Sequence, residues 1–262
     1  MRRIEFIGAS CVGKSTLFNK VLSLRDINDN WSYPSESQLN IVKQLQDRKY
    51  GFNRRGLIMM GLWRSQHAKW VREILENYKN PALMAFADVF DGLVGLYMKH
   101  LDTDKSVSNI RKLQLLNLYY NRLVYDVILP LYYSPDALNV YDDGIIAINS
   151  GIFDVTEFKI NALSENKNAS IVLPVGVIYC KLSLNSNVLR MNKRVNKGQG
   201  NYAIRKMKEQ EIEKNCHKGL LAAQGIFTVM DALSIPSIIV DMEKDVLFNA
   251  KQVIKFIRTF SR

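Results

Sequence analysis

Residues 8–16 read Gly-Ala-Ser-Cys-Val-Gly-Lys-Ser-Thr, a complete G-x-x-x-x-G-K-[ST] spacing. Each part of the pattern has a mechanical reading. The glycines let the backbone curl so that its N–H groups point inward at phosphate oxygens. Lys14 reaches the β- and γ-phosphates, and the Ser15 hydroxyl is suited to Mg²⁺. A helix beginning here adds the positive end of its dipole and its unpaired N–H groups. Gly8, Ala9, Ser10, Cys11, Val12, Gly13, Lys14, Ser15 and Thr16 are therefore the candidate nucleotide-binding residues.

The flanks agree with the motif. Arg2 to Ile7 is a short β-prone run that ends at Gly8. Beyond the motif, apolar residues at 17, 18, 21 and 22 have helical spacing. Strand, glycine loop and helix in that order are the context the motif requires.

Working outward, 262 residues fit one large α/β domain, and 47% hydrophobic content supports a sizeable core. Strand character returns at Ala137–Tyr141, at Ser170–Leu182 and at Ser237–Asp241. A closing amphipathic helix is expected over Asn249–Phe260. The reading is a parallel sheet of about five strands covered by helices, a single domain over 1–262. Between Arg2–Ile7 and Ala137–Tyr141, Trp31 to Ser37 reads as a short strand or extended segment followed by a turn. Residues 36–134 are almost wholly helical in pattern, with spans at Gly56–Lys79, Ala82–Leu101 and Val107–Leu129. Asn80-Pro81 and Asp102-Thr103-Asp104 read as breaks, and Pro130 as the end of the third helix. This block is too large for a simple crossover. It reads as an inserted helical lobe beside the sheet's carboxyl edge, where α/β folds bind ligands.

Three cysteines without metal-ligand spacing indicate a reducing compartment. Met1 leads directly into the first strand, and no stretch approaches the roughly 18 apolar residues of a membrane span. The expectation is a cytoplasmic chain. Its formal net charge of +11 suits polyphosphates or nucleic acid. The basic residues are spread along the chain, so nucleic acid is not the favoured partner.

Two further elements narrow the chemistry. Asp142-Asp143-Gly144 follows an apolar strand, so its carboxylates sit at a strand's carboxyl end, on the rim that carries the glycine loop. A carboxylate there can hold Mg²⁺ or take a proton from an acceptor hydroxyl. Asp142 and Asp143 are both candidates, and Gly144 permits close backbone approach. Val188–Ala223 is a long basic helical stretch broken near Gly198-Gln199-Gly200. Arg190 and Arg194 are four apart on one face, as are Lys193 and Lys197. A cationic segment over about 186–222 with a glycine joint fits a lid that clamps a transferring phosphoryl group.

Together, Gly8–Thr16, the Asp142-Asp143-Gly144 strand end and Arg190-x-x-x-Arg194 stand in the order seen in P-loop nucleoside and nucleotide kinases. The resemblance covers residues 1–25 and about 137–262. It implies an ATP- and Mg²⁺-dependent phosphotransferase acting on a small molecule. Lys14, Asp142, Arg190 and Arg194 would be catalytic, and Ser15 and Asp142 would be the Mg²⁺ ligands. The segment after the last strand would lie near the nucleotide base. Those enzymes usually carry an acidic-Arg pair where this chain has Asp142-Asp143, so the resemblance leaves the acceptor open. Tyr33, Glu36, Arg64, Arg122 and the pair Asp88 and Asp91 are polar residues on the acceptor side. A homodimer is left open as well.

A regulatory GTPase is the nearest rival, since Gly-Lys-Ser-Thr-Leu-Phe-Asn-Lys suits its first motif. No glycine here has Asp three residues earlier, and no Asn-Lys is followed by x-Asp. Both of that family's remaining motifs are therefore missing. A nucleotide-dependent switch acting on a partner, and a polynucleotide kinase, are the alternatives.

Overall fold

The computed structural model describes residues 2–50, 64–103, 105, 108–148, 169–199 and 207–260. The sheet has four parallel strands in the order β2-β1-β3-β4. These are β1 (Arg2–Ile7), β2 (Leu138–Tyr141), β3 (Gly176–Lys181) and β4 (Ser237–Asp241). β1 pairs with β3 from Ile4 opposite Gly176 to Ile7 opposite Tyr179. β3 pairs with β4 from Val177 opposite Ser237 to Lys181 opposite Asp241. β1, β2 and β3 are buried along nearly their whole length, so neither face of these strands shows a polar-apolar alternation.

About five strands were expected, and four occur among the described residues. The extended segment near Trp31 contributes an isolated parallel bridge, Ser32 to Asn139. It stops there because Pro34 opens a helix two residues later. Proline has no N–H to give a ladder, and its fixed φ suits the first helical turn.

The chain divides into two compact units: residues 1–2 with 31–140, and residues 3–30 with 141–262. The first unit holds α2 (Pro34–Tyr50), α3 (Arg64–Ala85), α4 (Ala87–Thr103), α5 (Asn109–Arg122) and α6 (Leu129–Tyr133). Its core includes Leu75, Tyr97, Tyr119 and Leu123, with Tyr97 and Tyr119 stacked at 4.2 Å. Two expected helix ends move. α3 runs through Pro81, and the chain turns at Phe86 with a 92° bend between the flanking helices. Burial of Ala82 keeps this turn of helix packed despite the missing N–H. Pro130 does not end the third helix. A π-helical segment, Leu123–Ile128, widens the turn before it, so the proline falls in the first turn of α6. The predicted start of the first long helix, residues 56–63, lies outside the described residues.

The second unit holds α1 (Lys14–Ser23), α7 (Ile145–Ile148), α8 (Leu184–Asn196), α9 (Glu209–Ala232) and α10 (Val246–Arg258). α1 packs on α10, and α8 packs on α9. Phe6 meets Phe18 edge-on at 5.6 Å, and Tyr179 stacks on Phe227 at 4.9 Å, fixing α1 and α9 to the sheet. The predicted strand over 170–182 is shorter. Ala169–Val172 forms a 3₁₀ turn, Pro174 interrupts, and β3 begins at Gly176. α10 begins three residues earlier than expected, because Asp245 accepts from the N–H groups of Leu247 and Phe248 as its N-cap. Among the described residues no single helix is long and apolar enough to cross a membrane.

Candidate functional site

The glycine loop joins β1 to α1 within the second unit. Its backbone needs left-handed or otherwise Gly-favouring dihedrals at three points: Gly8 has φ 152°, Cys11 φ 65° and Gly13 φ 105°. At Gly8 the freedom is required twice, since an added Cβ would lie 2.9 Å from the Cys180 carbonyl oxygen. α1 then starts at Lys14 with no side-chain cap and no acidic residue in its first turn. Its first N–H groups thus have no side-chain cap, an arrangement that suits an anion. Ser15 and Thr16 are exposed on that turn. The Lys14 ammonium folds back over the loop, donating to the carbonyls of Gly8 at 2.7 Å and Ala9 at 3.3 Å.

The expected lid arginines both reach this loop, by different means. Arg190 splits its guanidinium between two carbonyls, Val12 at 2.5 Å and Met242 at 2.8 Å. It therefore ties the glycine loop to the segment after β4. Gly13 lies under this clamp, where a Cβ would meet Arg190 Nη1 and the Met242 methyl at 3.2 Å each. The same segment is held to the start of α8 by Glu243, whose carboxylate accepts from Ser183 at 2.7 Å and Ser186 at 3.1 Å. These hydroxyls hold the Glu243 carboxyl below its ordinary value. Asn249 donates to the Asp241 carbonyl at 2.8 Å from the other side. Arg194, one turn beyond Arg190, is exposed and donates to Cys11 Sγ at 3.5 Å. Lys193 and Lys197 are exposed, Gly198 has φ 61°, and Gly200 lies outside the described residues.

Cys11 Sγ also meets Met191 Sδ at 3.4 Å, against a small apolar cluster of Met191, Ile212 and Cys216. A cavity of about 260 Å³ opens beside it, lined by Ala9, Ser10, Asn215, Cys216, Lys218 and Gly219 among others. Burial pushes the Cys180 thiol up to about 12 and raises the Cys216 thiol as well. Neither is a nucleophile at neutral pH.

Asp142 and Asp143 form the turn between β2 and α7, the first half-buried and the second exposed. Gly144 behind them serves a different neighbour from the one expected. A Cβ there would fall 2.1 Å from the Glu5 carboxyl carbon. Glu5 is fully buried on β1, ion-paired with the equally buried Arg3, and accepts from the Ile146 N–H at 3.0 Å. Sequence reasoning passed over this pair. The signal was present, since opposite charges two apart on a fully buried strand share one face.

On the first unit, Arg122 is committed to the buried Asp126 at 2.9 Å, and Gln38 donates to the same carboxylate at 3.4 Å. Tyr33 and Glu36 are half-buried, and Asp88 and Asp91 are exposed. Arg64 opens α3, with its side chain outside the described residues.

Among the described residues no three His, Cys, Asp or Glu side chains converge as a metal cluster. Mg²⁺ does not require one. It is usually held by one or two protein oxygens together with substrate phosphates. The exposed Ser15 hydroxyl and the Asp142 carboxylate are oxygen donors of that kind. The uncapped helix start and the curled loop suit the phosphates.

No protein-family model matches this chain, and no curated protein matches it in sequence. Among solved structures it is similar to deoxyadenosine kinase from M. mycoides with bound dCTP, at 13% identity and a TM-score of 0.44, over 98% of this chain and 99% of that one. It is similar also to that kinase with bound dATP, at 13% identity and a TM-score of 0.39, over 98% and 100% of the two chains.

Proposed function

We propose that this chain transfers the γ-phosphoryl group of ATP to a hydroxyl of a small-molecule acceptor, with Mg²⁺. The observation that carries the reading is the loop itself. Left-handed or glycine-favoured φ at positions 8, 11 and 13 leads directly into an uncapped helix whose first residue is Lys14. Such a backbone presents converging N–H dipoles to several phosphate oxygens at once.

Each residue then has a task. Lys14 releases its two loop carbonyls and turns to the β- and γ-phosphate oxygens, offsetting charge that grows as the phosphoryl group leaves. Ser15 and Asp142 would hold Mg²⁺, which when bound neutralises phosphate charge. Asp142 or Asp143 accepts the proton of the attacking hydroxyl. Arg194, exposed beside the loop, is placed to cover the γ-phosphate, and Arg190 keeps the loop in shape. The helical lobe at 36–134 would supply the acceptor contacts, and the region from 186 to 222 would close over the phosphates.

The test is an ATP-consumption screen over nucleosides, nucleotides, sugars and other alcohols with the parent chain, Lys14→Ala and Asp142→Ala. The parent turns over with at least one acceptor. Loss of either side chain lowers kcat by about 10²–10³, the range for removing one preorganised electrostatic contact. Parental turnover in both variants would sink the assignment.

A further inference from the structure

We infer that Glu5 is the positioning residue for the Asp142-Asp143 turn. This rests on the reading that Asp142 is a Mg²⁺-binding carboxylate.

Glu5 lies in the middle of β1, where it has no exposed surface. A buried carboxylate is costly unless it is paired and hydrogen-bonded. Here both conditions are met, and one of the two partners belongs to the turn. One oxygen takes the Arg3 Nε–H, and Arg3 in turn donates to the Val172 carbonyl. The other oxygen takes the Ile146 N–H at the first turn of α7, a group with no partner inside its own short helix. The carboxylate also fills the place of a side chain at residue 144. The turn is therefore seated on Glu5 at Gly144 and Ile146, directly after the half-buried Asp142 and the exposed Asp143.

The arrangement has a mechanical consequence. Asp142 and Asp143 sit on a loop, and a loop carboxylate binds Mg²⁺ well only if its backbone is held. Glu5 supplies that hold from the strand that also delivers the phosphate loop. One strand thus sets the position of Lys14 and Ser15 through its carboxyl end and of Asp142 through its Glu5 side chain. Glu5 itself, fully buried, touches neither phosphate nor metal.

The experiment is calorimetric titration of ATP at stepped Mg²⁺ concentrations, with thermal melting of the same samples. Glu5→Gln keeps the size but leaves one acceptor oxygen for two donors, the Arg3 Nε–H and the Ile146 N–H. The double variant Arg3→Met/Glu5→Leu removes both charges together and, with them, the acceptor for the Ile146 N–H. Both should fold, and both should need roughly tenfold or more Mg²⁺ for half-maximal ATP affinity, as loss of outer support for a ligand usually does. ATP affinity without Mg²⁺ should stay parental, because the loop backbone is untouched. Lower melting temperatures with an unchanged Mg²⁺ requirement would make Glu5 a structural residue and overturn the inference. A parent chain whose ATP affinity ignores Mg²⁺ would overturn the functional reading first, and the inference with it.

Discussion

At the residue scale the most instructive side chain is Arg190. Its spacing from Arg194 suggests two equivalent lid cations, but the two lie in different surroundings. Arg190 spends both arms on the carbonyls of Val12 and Met242, and Arg194 stays exposed with a single weak sulfur acceptor. A planar fork can bridge two separate carbonyls, which a lysine ammonium cannot do in the same geometry. Arg190→Ala should therefore weaken ATP binding about tenfold or more, from the loss of two charge-assisted bonds that hold the loop. Arg190→Lys should recover little of it. Arg194→Ala should leave ATP binding nearly unchanged and lower kcat instead. Steady-state KM and kcat for ATP in the three variants decide this. Equal KM effects at 190 and 194 would mean that both arginines act as mobile cations.

At the element scale α1 and α10 are tied at their far ends by an ion pair. Arg258 donates to Asp29 through Nε at 2.7 Å and Nη2 at 3.0 Å, closing the loop after α1 onto the last turn of α10. The Arg258 hydrogen bonds hold the Asp29 carboxyl below its ordinary 3.8. A carboxyl depressed in the folded state stabilises the fold above its unfolded pKa, and the benefit is lost as pH falls through the folded value. Asp29→Asn should cost about 1 kcal/mol at pH 7, since the arginine is half exposed and solvent screens it. The cost should shrink as pH falls through the folded carboxyl's value, where the parent becomes protonated too. Urea melts of parent and variant from neutral pH downward test it, and a gap that keeps the same size across the acid range would show that the ion pair is not its source. Elements of this kind differ in how plainly the sequence announces them. The β1-loop-α1 unit is legible because burial and motif coincide there, and β4 because Ser237–Asp241 carries a run of β-branched residues. The helix ends at Pro81 and Pro130 are not, because packing of Ala82 and a π-turn override a local signal. The acidic turn is legible as a strand end, but its support is not. Nothing local to 142–144 announces that Glu5, far away in sequence, occupies the space beside Gly144.

At the scale of the whole molecule the unresolved question from composition is the +11 charge. Such a charge can serve a polymer or a polyphosphate, and the two differ in their response to salt. A protein that neutralises phosphates along a nucleic acid releases condensed counterions, with a slope of about −0.9 in log K per phosphate contacted. A free nucleotide carries no condensed atmosphere of that kind, so its binding should weaken only gently as salt screens the site. Five cations of the second unit favour the second case. Arg3, Arg190 and Arg258 are engaged in internal bonds, and Arg194 and Lys14 converge on one short loop rather than along a track. Binding of ATP and of the acceptor should therefore each fall by less than about tenfold between 50 and 200 mM salt, where a protein with 6–10 phosphate contacts loses about 10³–10⁵. Fluorescence or calorimetric titration across that range measures it. A steep slope for an oligonucleotide acceptor, with turnover at its end, would replace the small-molecule reading with a polynucleotide one while leaving the roles of Lys14 and Ser15 as they stand.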